Sequence, residues 1–170
     1  TVETHIFHKT DSTVLGFVDY LPLRSAKLNL KILMEAMYDN SLDILTRKDT
    51  VTVYLRETSA PYVVKDSAKS AIDTLSFTGT FNFTNAPSGQ YYIVARHFNT
   101  IETWSKAGGE SFVSGGNILS YDMTSSVSQA YGSNLKLKGT RYCIYSGDVD
   151  QNKIVDASDL SIMDNDIVFG

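Results

Sequence analysis

The chain has 170 residues, 42% of them hydrophobic and 11% aromatic, with a formal net charge of −4. That length and apolar content exclude disorder and leave room for about one domain, burying roughly two-thirds of its unfolded surface. A single cysteine excludes a disulfide scaffold, no apolar run approaches the ~20 residues of a membrane-spanning helix, and the acidic balance argues against a nucleic-acid partner. The acidity is uneven: six of the 19 acidic residues follow Gly147, against one lysine.

The chain begins at Thr1 without a charged region followed by an apolar one, which implies either a removed leader or an internal piece of a longer protein. Residues 1–26 read as an extended N-terminal segment: the end of an upstream domain, a linker, or a strand donated to the sheet edge of another copy. His5 and His8 are three apart, so on a strand they face opposite sides and do not form a zinc pair. The run His5-Ile6-Phe7-His8, Asp11-Ser12 and Leu15-Gly16-Phe17-Val18-Asp19-Tyr20-Leu21-Pro22 resembles the last coil of right-handed parallel β-helix domains of secreted bacterial proteins.

From Lys27 to Thr140 the period is mostly two. Leu28, Leu30, Ile32 and Met34 alternate with Asn29, Lys31, Leu33 and Glu35, and Val51, Val53 and Leu55 with Thr52, Tyr54 and Arg56. Leu75, Phe77, Phe81 and Phe83 share one parity, with Gly79 on the same face. Further strands are predicted over Tyr91 to Phe98, Ile101 to Trp104 and Ile118 to Met123. Glu35 to Asn40 is also assigned to strand, because of its aromatic and β-branched neighbours. Asp39-Asn40-Ser41, Asn85-Ala86-Pro87-Ser88-Gly89, Gly108-Gly109 and Gly115-Gly116-Asn117 supply turns. Short alternating strands with such turns predict a mainly β fold, an antiparallel Ig-like sandwich of seven or eight strands over 27–140. The hairpin Phe81-Asn82-Phe83 to Gly89-Gln90-Tyr91-Tyr92-Ile93-Val94 resembles that of prealbumin-like or carboxypeptidase-regulatory-like sandwiches, which implies their fold but no chemistry.

Residues 141–170 carry the chemistry. Cys143 lies in the apolar, strand-like Arg141-Tyr142-Cys143-Ile144-Tyr145, a setting for a buried small hydrophobe. Beyond it, Gly147-Asp148-Val149-Asp150-Gln151-Asn152-Lys153-Ile154-Val155-Asp156-Ala157-Ser158-Asp159 places oxygen side chains at positions 1, 3, 5, 9 and 12 counted from Asp148. Calcium is a hard cation that takes six to eight oxygens at roughly 2.3–2.6 Å, and a tight loop offering oxygens at alternate residues encloses it. Asp148, Asp150 and Asn152 are expected to ligate by side chain, Ile154 by its carbonyl, Asp156 directly or through water, and Asp159 by closing the site. Val155 is expected to point inward, and Leu160-Ser161-Ile162-Met163 to open a short amphipathic helix. The loop resembles the dockerin-type variant of the EF-hand, with Asp159 where ordinary EF-hands have Glu. Lys153 stands where the family usually has Gly, at a cost on the order of 1 kcal/mol if the backbone is left-handed there. Dockerins carry two such loops, and Asp164-Asn165-Asp166 does not complete a second. This 141–170 tail is therefore expected to be a single half-site, and binding of a cohesin-like partner is in question.

No nucleophile–base pair, phosphate loop or dinucleotide fingerprint is present, so catalysis is not expected. His97, in Ala95-Arg96-His97-Phe98, reads as a satisfied strand histidine. Trp104 with Tyr91, Tyr92 and Tyr121 offers a sugar-stacking platform, although aromatics on a sandwich more often fill its core. The sandwich and loop together resemble the C-terminal region of large secreted or cell-surface bacterial proteins. This implies an extracellular, calcium-binding structural or adhesive module. The alternatives are a subunit of a self-assembling fibre that exchanges its N-terminal segment, and a carbohydrate-binding accessory module.

Overall fold

The computed structural model describes residues 25–115 and 118–169, with side chains as far as residue 164. Residues 1–24 of the N-terminal segment, with His5, His8 and the β-helix resemblance, lie outside these residues. In chain order the strands are β1 (Ala26–Lys31), β2 (Tyr38–Asp39), β3 (Ile44–Leu45), β4 (Asp49–Glu57), β5 (Val64–Ile72), β6 (Thr78–Phe83), β7 (Gly89–Arg96), β8 (Thr103–Trp104), β9 (Glu110–Phe112), β10 (Ile118–Asp122), β11 (Lys136–Lys138) and β12 (Arg141–Cys143). One helix, α1 (Ala157–Phe169), follows. No helix of the described residues is long and apolar enough to cross a membrane.

The chain is mainly β, and its two main sheets hold eight strands among the described residues. One runs β10-β1-β6, and the other runs β5-β4-β7-β8 with β9 on the same edge of β7. The pairings are antiparallel except β1 with β10, which run parallel from Lys27↔Ile118 to Lys31↔Asp122. The alternation seen in the sequence accounts for the faces. Val51, Val53 and Leu55 of β4 and Ile93 and Ala95 of β7 turn inward, against Leu28 and Leu30 of β1 and Phe81 and Phe83 of β6. All are fully buried, and each large side chain among them contributes about 1.5–3 kcal/mol of transfer free energy. Gly79 sits opposite Leu30 because there is no space beside it: a Cβ there would lie 2.7 Å from Ile72 Cδ1. This arrangement is consistent with a β-sandwich.

Several expectations change. The segment Phe81 to Val94 is not a hairpin: β6 pairs with β1 and β7 with β4, so the turn at Pro87-Ser88-Gly89 carries the chain from one sheet to the other. Leu75 is 72% exposed and belongs to a turn, because the Asp73 carboxylate accepts the N–H groups of Leu75 and Ser76 (3.1 and 2.9 Å) and breaks the strand before Phe77. Phe77 stays buried by taking a left-handed backbone (φ 61°). Glu35–Met37 is a turn of 3-10 helix, and only Tyr38–Asp39 is extended. β5, Val-Lys-Asp-Ser-Ala-Lys-Ser-Ala-Ile, escapes the periodicity reading because it is a sheet edge: Ile72 alone is fully buried, and five of its nine residues are polar.

The end of the sandwich is laced to its beginning. Ile144 pairs with Met34, its N–H donating to the Leu33 carbonyl (2.8 Å). Cys143 and Ile144 are fully buried in the same core. The Arg141 guanidinium grips both Asp43 oxygens (2.6 Å each), and the Tyr38 hydroxyl donates to Asp43 as well (2.7 Å). These contacts deliver the chain at Gly147 to one end of the β4–β7 sheet.

Candidate metal centre

The acidic loop is seated on the sandwich before it turns. Ile101 N–H donates to the Tyr145 carbonyl (2.9 Å), and Gly147 N–H meets both the carbonyl and the side-chain oxygen of Asn99 (3.1 and 3.0 Å). Gly147 has φ 117°, and a Cβ there would lie 2.9 Å from Val155 Cγ1, so glycine is required on both counts. Gln151 then pins the loop. Its amide nitrogen donates to the Asp148 carbonyl (2.6 Å) and faces the Phe98 and Thr100 carbonyls (3.3 Å each), while its oxygen accepts from Arg96 Nε (2.7 Å). Gln151 and Arg96 carry no sequence signal of this role, because neither stands at a ligand position of the loop.

Inside the loop, side-chain oxygens fold back on the backbone at alternate residues. Asp148 Oδ2 accepts from Lys153 N–H (3.1 Å), Asp150 Oδ1 from Asn152 N–H (3.0 Å), and Asn152 Oδ1 from Ile154 N–H (2.8 Å). Asp150 Oδ2 also receives the Asn152 amide (2.8 Å) and the Ser158 hydroxyl (3.2 Å). Gln151 and Lys153 both adopt left-handed backbone, with φ 60° and 77°. The Lys153 ammonium reaches back to Glu102 Oε1 at 3.6 Å.

Helix α1 opens on a capping box. The Asp156 carboxylate accepts from Ser158 N–H and hydroxyl (2.8 and 2.6 Å), and Asp159 Oδ2 accepts from Asp156 N–H (3.0 Å). Asp159 is carried inward by this turn and is 2% exposed, its Oδ1 accepting from Val149 and Asp150 N–H (2.6 and 3.1 Å).

Asp148, Asp150 and Asp159 thereby come together, with carboxylate oxygens within 4.8 Å of one another, and this cluster can hold a metal ion. The two buried members differ electrostatically. Hydrogen bonds, foremost the Asp156 N–H, hold the Asp159 carboxyl below the usual carboxylate range. Burial pushes Asp148 up, and the neighbouring Asp159 and Asp150 charges push it further. Asp148 is 1% exposed, and its Oδ1 has no hydrogen-bond partner. Asp156 is not in the cluster; its Oδ1 caps the helix. Val155 and Ile154 are exposed, as are Leu160, Ile162 and Met163, so the described start of α1 buries only Asp159. The expected inward Val155 is thus corrected: it touches Gly147 but remains half open to solvent.

The other candidates separate clearly. Cys143 is buried, and burial pushes its thiol up to about 12. His97 lies just beyond the end of β7, also buried. Its Nδ1 accepts from Asn99 N–H (3.3 Å), and its Nε2 stands 3.6 Å from Asp49 without a hydrogen bond. Of the three tyrosines expected beside Trp104, only Tyr92 is there, with ring centroids 5.3 Å apart. Tyr91 packs on Phe112 in the core, and Tyr121 is buried with its hydroxyl donating to the Gln129 carbonyl (2.7 Å). Tyr62 and Tyr131, brought in by distant loops, take the two remaining places around Tyr92.

Comparison with protein families, curated proteins and solved structures finds no match.

Proposed function

We propose that this chain is a calcium-stabilised, non-catalytic module of an extracellular bacterial protein, structural or adhesive in role. On this reading a prealbumin-like sandwich carries a dockerin-type loop as its clasp. The observation that supports it most is Asp148 Oδ1: a buried carboxylate oxygen without a hydrogen bond, facing two further carboxylates. Burying an unpaired anion is costly, and adding like charges beside it costs more, unless a cation completes the site. Asp148, Asp150, Asn152 and Asp159 would hold calcium by side chain and Ile154 by its carbonyl, with Asp156 contributing directly or through water. An all-oxygen donor set suits a hard cation rather than zinc or copper.

Gln151 gives the ion its consequence. By bonding the loop to Arg96 and to the carbonyls of Phe98 and Thr100, it makes ordering of the loop part of the order of the sheet end. Calcium binding would therefore stabilise the sandwich and not the tail alone. Isothermal titration of the chelator-treated protein tests this reading. One calcium per chain is expected, with binding abolished in Asp148→Asn and Asp159→Ala; no heat and no bound metal would reject it.

A further inference from the structure

The outer face of the five-stranded sheet carries a second site, distinct from the carboxylate cluster and joined to its loop through Lys153. Residues of β7 alternate, so Ile93 and Ala95 enter the core while Tyr92, Val94 and Arg96 lie on the opposite face of the sheet, where Tyr92 and Val94 are also buried. Beside Tyr92 a cavity of about 380 Å³ is lined by Tyr62, Tyr92, Glu102, Trp104, Tyr131 and Asn134. Its size falls within the roughly 300–1,000 Å³ of small-molecule sites. Tyr62 and Tyr131 stand at its rim, 40% and 55% exposed. The rings brace one another edge to face, Tyr62 on Trp104 at 5.6 Å and 89°, and Tyr131 on Tyr92 at 6.0 Å and 87°. Tyr62 holds its place with φ 58°, a backbone setting that favours glycine, so an aromatic ring is kept at the rim against local strain.

The polar side of the cavity is equally organised. Glu102 Oε1 accepts the indole N–H of Trp104 (2.9 Å), which fixes the tilt of the ring, and Lys153 balances its charge from 3.6 Å. The Arg56 guanidinium stacks 5.6 Å from the Trp104 ring centre. A cationic ligand would meet two cations and a carboxylate already neutralised, and an anionic one would face aromatic ring faces of negative potential. A neutral ligand with apolar C–H faces and edge hydroxyl groups meets neither objection.

We propose that this pocket binds a neutral oligosaccharide, one sugar ring lying against Trp104 and Tyr131 while its hydroxyls hydrogen-bond Glu102 and Asn134. Trp104 is the sole tryptophan of the chain, so its fluorescence reports this pocket alone. The full chain is titrated with cellohexaose, xylohexaose, mannohexaose and chitohexaose, and separately with tetramethylammonium, in calcium and again in chelator. At least one sugar is expected to change Trp104 emission saturably. Tyr131→Ala should weaken that binding about ten-fold or more, as truncation of an aromatic anchor does. Tyr62→Gly relieves the left-handed backbone, so a comparable loss of affinity with the melting temperature retained reports the missing ring and not unfolding. Three results would each overturn the proposal: no saturable change with any sugar, a response to tetramethylammonium alone, or sugar affinity unchanged in both tyrosine variants. Sugar binding in a protein that binds no calcium would leave this proposal standing and remove only the metal reading.

Discussion

Replacing Asp148 by Asn separates a calcium clasp from an ordinary acidic loop, because only a clasp makes the sign of the effect invert between chelator and calcium. Asn keeps the shape of Asp148 and the acceptor for Lys153 N–H, but removes one of three charges whose oxygens lie within 4.8 Å. In chelator the variant should therefore melt at or above the parent. In calcium the order should invert. Extracellular calcium modules bind with dissociation constants of about 10⁻⁴–10⁻³ M, so ~10 mM calcium is about 100-fold above the tighter end. At that excess, mass action adds about 2.7 kcal/mol to the parent. At roughly 2–4 °C per kcal/mol for a domain of this size, the parent should gain about 5–11 °C, and Asp148→Asn almost nothing. Differential scanning calorimetry in calcium and in chelator reads both arms. Gln151→Ala provides the mechanical control. It leaves the six proposed ligands in place but frees the loop from Arg96, so calcium should still bind while raising the sandwich melting temperature by clearly less. A parent that melts identically in both buffers, or an Asn variant that loses stability in chelator by as much as in calcium, would refute the reasoning.

Other consequences follow from groups away from the loop. His97 is buried beside Asp49, and burial keeps its pKa below the usual imidazole value. The unfolded chain then takes up the proton first, so stability should fall as pH drops below about 6.5, levelling off once the folded imidazole also protonates; His97→Gln should flatten that slope in melts between pH 7.5 and 5. Asp43 is held well below the usual carboxylate range, first by the Arg141 guanidinium and then by the Tyr38 hydroxyl. Its contribution is full above the unfolded carboxylate pKa and is lost as pH falls through the depressed folded pKa, so Asp43→Asn should lower the melting temperature at pH 7 and lower it progressively less as the pH falls below about 4. Cys143 should resist Ellman's reagent in the native protein and react fully in denaturant, since it is buried and its thiol is pushed up to about 12. Phe81→Ala, cutting a ring buried across from Leu28, should cost about 3–5 kcal/mol in urea unfolding.

What the sequence shows on its own is whatever depends on spacing along the chain. Alternation marked β4, where Val51, Val53 and Leu55 face the core, and it marked β6 and β7 as strands, but not that the two join different sheets instead of pairing as a hairpin. Oxygen spacing marked the loop, since Asp150, Asn152 and Asp156 each accept from the backbone N–H two residues on, whatever lies around them. The same logic misled at Leu75, where shared parity with Phe77 implied a continuous strand and one carboxylate, Asp73, made a turn instead.

Tertiary structure decided what depends on who meets whom. β5 was invisible because an edge strand needs little apolar surface, so its pattern is polar even though it is fully paired to β4. Nothing in Gln151 announces a tie to Arg96, 55 residues away, and nothing in Lys153 announces Glu102. The aromatic pocket shows the limit most plainly. Tyr91 and Tyr92 are adjacent in sequence, yet one enters the core and the other faces out, because neighbours on a strand point to opposite faces. Tyr62 and Tyr131 reach Tyr92 only through the folded path of their loops. Local hydrogen bonding and periodicity are written in the sequence, whereas burial, charge balance and the company a side chain keeps are properties of the packed molecule.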